Sequence, residues 1–184
     1  QRQMCIRDRY YNTGRGFVDW LKKQSGVNES DMWITITRDA RTHSPALEKA
    51  LTEGITSTGA NVVKLGLAPT PIGYYSEVVG VPETITDGKN IIAAAIITAS
   101  HNPKEYNGYK AYWDDGSQLV PPHDKNVIDE VKKVQVSDIK FEGVPEMITI
   151  LGKNFDKKYL DKVKTLSLSP EAIQKEHDLK IVFT

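Results

Sequence analysis

Residues 91–112 read IIAAAIITASHNPKEYNGYKAY, and the fold turns on the first eight of them. IIAAAIIT is an unbroken apolar run of strand length, and it stops abruptly at turn-forming residues. A strand covered on both faces by helices has this form, whereas a half-solvated strand alternates. Ala93 to Ala95 favour helix in isolation. The run has the length of a strand, so an α/β domain is expected. In open α/β sheets reactive groups lie beyond the carboxyl ends of the strands. Ser100 falls there, two residues past the run. Asn102-Pro103 makes a tight turn after it, and Asn107-Gly108 lets the chain return at low steric cost. That return could bring Lys110 towards Ser100, where a lysine can neutralise a phosphate or move a proton. Taken alone, Ser, Asn, Pro and Gly are also what an ordinary surface turn uses.

The flanking sequence supports the α/β expectation. WITIT (33–37) and NVVKLG (61–66) read as strands, and NGYKAYW (107–113) as a shorter one. Phe17, Trp20 and Leu21 lie on one helical face, with Gly26 as the stop. Leu47, Ala50, Leu51 and Ile55 mark a helix starting at Ser44-Pro45, with Ser44 as the expected N-cap and Gly59 beyond the end. Ile72, Tyr75, Ser76 and Val79 predict a helix opening near Pro71, and PPHDKNVIDEVKKV (121–134) a proline-started one. VPETITDGKN (81–90) is turn-rich, and DDGS (114–117) is a turn rather than a metal site. Beyond 137 the pattern weakens: 155–168 has helical spacing, 169–178 is a short helix start or loop, and LKIVFT (179–184) reads as a strand. His43, His123 and His177 have no metal-ligand spacing and are expected at the surface.

Composition excludes several classes. The 184 residues are 39% hydrophobic and 26% charged, with 24 Lys plus Arg against 24 Asp plus Glu. A net charge of zero supports neither nucleic acid nor an anionic membrane as partner. The single cysteine, Cys5, rules out an intramolecular disulfide and fits a reducing, cytoplasmic setting. No apolar run is long enough to span a bilayer, and QRQMCIRDR (1–9) has no secretory h-region. Residues 1–9 show neither periodicity nor turn signal and are expected to be a non-native leader outside the fold.

The string Thr98-Ala99-Ser100-His101-Asn102-Pro103, followed by Asn107-Gly108-Tyr109-Lys110, resembles the active-serine loop of the α-D-phosphohexomutases, the phosphoglucomutase and phosphomannomutase family. Arg38-Asp39-x-Arg41, Pro69-Thr70-Pro71 and Asp115-Gly116 follow the family's order, and the likeness is nearest the branch with phosphopentomutase-like members. The resemblance implies a three-layer α/β/α sandwich on a mixed, mostly parallel sheet, spanning 10–147. A linker helix and the truncated start of a second, similar domain would fill 148–184. It implies a phosphoprotein isomerase that interconverts hexose or pentose 1-phosphate and 6- or 5-phosphate through a phosphoserine, with a sugar 1,6-bisphosphate as intermediate and activator. Carried over residue by residue, Ser100, His101 and Lys110 are the catalytic candidates and Arg41, Asn102 and Asn107 the substrate-binding ones, with a structural salt bridge as the rival role for Arg41. Magnesium would meet Ser100 only through its phosphate, its other ligands lying in the missing second domain. The family's amino-terminal arginine loop is replaced by QRQMCIRDR, and Gly14-Arg15-Gly16 mimics it only superficially. The chain by itself is therefore expected to be inactive. Two other readings stay open: a phosphoserine-forming phosphatase, which would release inorganic phosphate, and a non-catalytic α/β binding domain, in which Ser100 would never accept phosphate.

Overall fold

In the computed structural model residues 5–86 and 88–183 are described. The chain divides into two compact units, one up to Gly152 and one from Lys153. The first is built on a five-stranded sheet in the order β4-β3-β1-β2-β5. Its strands are β1 (Trp33–Arg38), β2 (Asn61–Leu67), β3 (Ile91–Ile97), β4 (Tyr109–Tyr112) and β5 (Ile148–Ile150). β1 runs parallel to β2 and β3, β5 runs parallel to β2, and β4 alone is antiparallel, against β3.

Residues 91–97 form an interior strand, as the apolar run predicts. Ladder pairing to β1 on one edge and to β4 on the other overrides the helix preference of its alanines. Alternation along the strands sends Ile34, Ile36, Ala93, Ala95 and Ile97 into the main core, while Ala94 and Ile96 face the opposite side with Tyr112 and Tyr74. The main core is closed by α1 (Ile6–Ser25), α2 (Ser44–Thr56) and α5 (His123–Val131). The other face carries α3 (Thr70–Val79), whose Ser76 hydroxyl is hydrogen-bonded to the Thr35 hydroxyl at 2.9 Å. The result is the expected three-layer α/β/α sandwich.

Several sequence expectations are corrected. Helix α1 begins at Ile6, not near Phe17, so residues 6–9 belong to the fold. Asp8 is fully buried and accepts from the Cys5 N–H at 2.9 Å, closing the first turn; polar residues hid that turn because they are buried through hydrogen bonds. Residues 1–4 of the expected leader lie outside the described residues. Gly14 and Gly16 lie in the middle of α1, not at its start, and mark close crossings: a Cβ at Gly14 would stand 2.5 Å from Leu51 O of α2, and one at Gly16 2.6 Å from Val131 of α5. Ser44 is the first residue of α2, with His43 at the N-cap. His123 is half-buried, its ring edge-on to Trp20 and Trp113 with centroids 5.7 and 5.2 Å away. A four-residue helix, α4 (Glu83–Thr86), forms within the turn-rich stretch. The sheet gains β5, so the first unit extends past the expected boundary at 147. The second unit holds α6 (Lys153–Lys164) and α7 (Pro170–Lys175). Residues 179–183 form no strand; Ile181, Val182 and Phe183 are exposed, since a β-run has no ladder without a neighbour to pair with. Thr184 lies outside the described residues.

Candidate active site: the loop beyond β3

The chain leaves β1 towards β2 on one side and returns through α3 to β3 on the other. The carboxyl ends of β1 and β3 therefore form a topological switch point, the place where open α/β sheets leave a crevice for ligands. Two segments meet there. Asp39 to Ser44 follows β1, and Thr98 to Gly108 follows β3, with the Asp39 N–H donating to Ile97 O at 3.1 Å.

Ser100 is exposed at the first bend of the β3 loop. Its backbone has φ 57°, the left-handed region that only short polar residues and glycine visit readily. Its N–H donates to Thr98 Oγ1 at 3.0 Å, and its Oγ lies 3.4 Å from His101 Nδ1. Asn102 N–H closes the turn onto Ala99 O at 3.1 Å, and Tyr106 N–H closes the next onto Pro103 O at 3.0 Å. The returning limb is pinned at Gly108, whose carbonyl accepts from Thr98 N–H at 3.1 Å and from the Tyr10 hydroxyl at 2.9 Å. A Cβ at Gly108 would sit 2.8 Å from Thr98 O, so only glycine lets the two limbs approach.

The β1 segment grips this loop. Arg41 Nε donates to Asp39 Oδ2 at 2.8 Å, Nη1 to Pro103 O at 2.6 Å, and Nη2 to Ser100 O and Asn102 O at 3.1 and 2.9 Å. Asp39 also accepts from Ser44 Oγ at 2.8 Å and from Arg41 N–H at 3.1 Å. Ser44 in turn accepts from Asn107 Nδ2 at 2.8 Å, and Asn107 Oδ1 accepts from Gly108 N–H at 2.9 Å. Burial pushes the Asp39 carboxyl up, but hydrogen bonds from Ser44, Arg41 and Thr98 outweigh it, and the group is held below its ordinary range. Burial, and then the charge of Asp39, push the Tyr10 phenol up to about 12, so it stays a neutral donor to Gly108 O.

Of the residues carried from the sequence, Ser100, His101 and Asn102 lie together on the exposed bend. Lys110 sits on β4 opposite Ile96, one residue inside the mouth, and makes no hydrogen bond to Ser100. Arg41 and Asn107 were expected to bind substrate. Both are instead bonded to the protein itself, and the Arg41 side chain is only 10% exposed. Sequence reasoning missed Asp39, Ser44 and Tyr10 as parts of the site. The signal available was the spacing Asp39-x-Arg41-x-x-Ser44, which a turn followed by a helix start folds back on itself. Among the described residues no group of three or more metal-ligating side chains gathers.

The description that matches this chain, over residues 5–137, is that of domain I, alpha/beta/alpha, of phosphoglucomutase/phosphomannomutase. The chain belongs to the phosphoglucomutase/phosphomannomutase family. Family relatives include a phosphoglucosamine mutase of Clostridium botulinum, 40% identical over 140 residues covering 76% of this chain and 27% of that protein. A phosphopentomutase of Homo sapiens is 34% identical over 125 residues, covering 66% of this chain and 19% of that protein. The chain thus spans under a third of the length of these two family members. A crystal structure of a family protein from Burkholderia thailandensis covers 88% of this chain and 32% of its own, with TM-score 0.66 at 23% identity, a likeness of fold. Among the described residues no helix is long and apolar enough to cross a membrane.

Proposed function

We propose that this chain is the phosphate-carrying domain of a phosphosugar mutase, with Ser100 as the carrier. The reading rests on one observation above the rest: an exposed serine hydroxyl, at a topological switch point, on a loop whose backbone is fixed at both limbs. In the transfer from phosphoserine, the bond between phosphorus and Ser100 Oγ breaks as phosphorus bonds to a sugar hydroxyl oxygen. The product is a sugar bisphosphate. Net, one proton moves from the sugar hydroxyl to Ser100 Oγ. His101, with Nδ1 3.4 Å from Oγ, is placed to return that proton. Lys110, on the strand beside the loop, is the proposed cation and proton relay for the sugar hydroxyl. Reorientation of the bisphosphate and transfer of its other phosphate back to Ser100 completes the exchange between 1-phosphate and 6- or 5-phosphate. Small sugar phosphates are the proposed partners, magnesium the proposed cofactor with its remaining ligands supplied from outside this chain, and the cytoplasm the proposed compartment.

The test is to incubate the chain with glucose 1,6-bisphosphate and magnesium and to follow intact mass. One phosphoryl group on Ser100, absent from Ser100→Ala, is the expected result. Steady release of inorganic phosphate from the phosphorylated chain would favour a phosphatase. By itself the chain should show no turnover of glucose 1-phosphate to glucose 6-phosphate in a coupled assay, and turnover above background would overturn that expectation.

A further inference from the structure

We infer that Arg41 is a positioning residue, whose guanidinium holds the Ser100 loop in the conformation that presents the serine hydroxyl. The inference rests on the reading of Ser100 as the phosphate carrier. A left-handed backbone at a non-glycine residue is strained and persists only where the surroundings fix it. At Ser100 the fixing group is visible. The Ser100 carbonyl, turned by φ 57°, meets Arg41 Nη2 at 3.1 Å, and the same nitrogen also reaches Asn102 O at 2.9 Å. Nη1 takes Pro103 O at 2.6 Å. One planar group thus gathers three carbonyls of the loop from 59 to 62 residues away in sequence.

The guanidinium is itself held by Asp39, and Asp39 by Ser44, which also receives Asn107 from the returning limb. Both limbs of the loop therefore hang on one hydrogen-bonded network centred on the Asp39–Arg41 pair. Four donor contacts from a rigid fork are beyond a lysine, whose three donors diverge from one nitrogen. A group used this way has little left for a substrate phosphate, and its charge is already paired with Asp39. What Arg41 contributes is alignment of Ser100 Oγ, and misplacement by about 1 Å can cost on the order of a hundredfold in rate.

The experiment uses the full chain and the variants Arg41→Lys and Arg41→Ala. Two readings are taken: amide hydrogen exchange, and the rate of phosphoryl transfer from glucose 1,6-bisphosphate to Ser100 against bisphosphate concentration. Exchange at Asn102 and Tyr106 is expected to rise at least about tenfold in both variants, with the amides of β1 and β3 still protected. The maximal transfer rate should fall about ten- to a hundredfold in both variants, while the half-saturating concentration stays within about twofold. Methylguanidinium should restore protection and rate to Arg41→Ala, and methylammonium should not. Should Arg41→Ala fail to fold, Arg41→Lys, which keeps the charge beside Asp39, carries the test. Unchanged exchange at Asn102 and Tyr106 overturns the inference. So does a raised half-saturating concentration with the maximal rate retained, which would make Arg41 a substrate ligand. If the unsubstituted chain takes no phosphate while loop exchange still rises in Arg41→Lys, the role of Ser100 falls and the clamp stands.

Discussion

Glu77 on α3 should make the stability of this fold fall as pH rises through neutrality. Both of its carboxylate oxygens are buried without a hydrogen-bond partner. Burial, and then the charges of Asp115 and Asp114 across from it, push its pKa up to about 9. The backbone of Ala94 pulls the other way without reaching hydrogen-bond geometry. In the unfolded chain the same carboxyl ionises near 4.5. The folded state therefore holds a proton that the unfolded state has lost, across the window from about 4.5 to about 9. Below that window both states are protonated and Glu77 costs nothing. Above its lower edge the folded state is penalised progressively, until the folded carboxyl also ionises near pH 9. At 1.36 kcal/mol per pH unit the penalty at pH 7 has a ceiling of about 3 kcal/mol. Partial solvent access at Glu77 brings the expectation to about 2 kcal/mol. Glu77→Gln removes the ionisation and keeps the shape. Urea unfolding followed by tryptophan fluorescence should find the two proteins equal within about 0.5 kcal/mol at pH 4 and the glutamine variant about 2 kcal/mol more stable at pH 7. Carboxylates held low, such as Asp39 and Glu130, lose their contribution below their ordinary range in both proteins, so the difference isolates Glu77. A glutamine variant that gains nothing between pH 4 and 8 would refute the reasoning.

Gly54→Ala should destabilise the first unit by about 3 kcal/mol in the same unfolding assay, because its new Cβ would run into the Tyr11 carbonyl oxygen where α1 crosses α2; a loss under about 0.5 kcal/mol would mean that α1 is not packed there. Ser76→Ala should cost about 1 kcal/mol, since it leaves the buried Thr35 hydroxyl without its side-chain partner inside the α3–sheet interface. Lys110→Ala should leave the fold intact and slow phosphoryl transfer by roughly a hundredfold, the scale for losing a positioned acid–base group. Lys104→Ala, at an exposed position of the loop, should change transfer less than Lys110→Ala does; the reverse order would reassign the cation.

The layers of the fold were legible because they follow from burial on repeating positions. The run 91–97, the alternation at 33–37 and the spacing of Leu47, Leu51 and Ile55 each name an element directly. What escaped was structure made by polar groups. Asp8 and Asn12 are buried in α1, so its first half carries no apolar stripe. β5 is three residues long and depends on pairing with β2 rather than on its own pattern. His123 is isolated in sequence and meets Trp20 and Trp113 only in the folded chain. The site was half legible. TASHNP located the bend, because a serine past a buried strand has few other places to go. The network from Asp39 through Arg41 and Ser44 to Asn107 was not legible, because its partners are brought together by the adjacency of β1 and β3, which no local pattern encodes.

The central claim is that Ser100 carries phosphate, and intact mass tests it most directly. After incubation of the chain with glucose 1,6-bisphosphate and magnesium, the account predicts one added phosphoryl group, located to Ser100 by fragmentation and missing from Ser100→Ala. Phosphate on another residue, or an Ser100→Ala chain that accepts it equally well, would contradict the account.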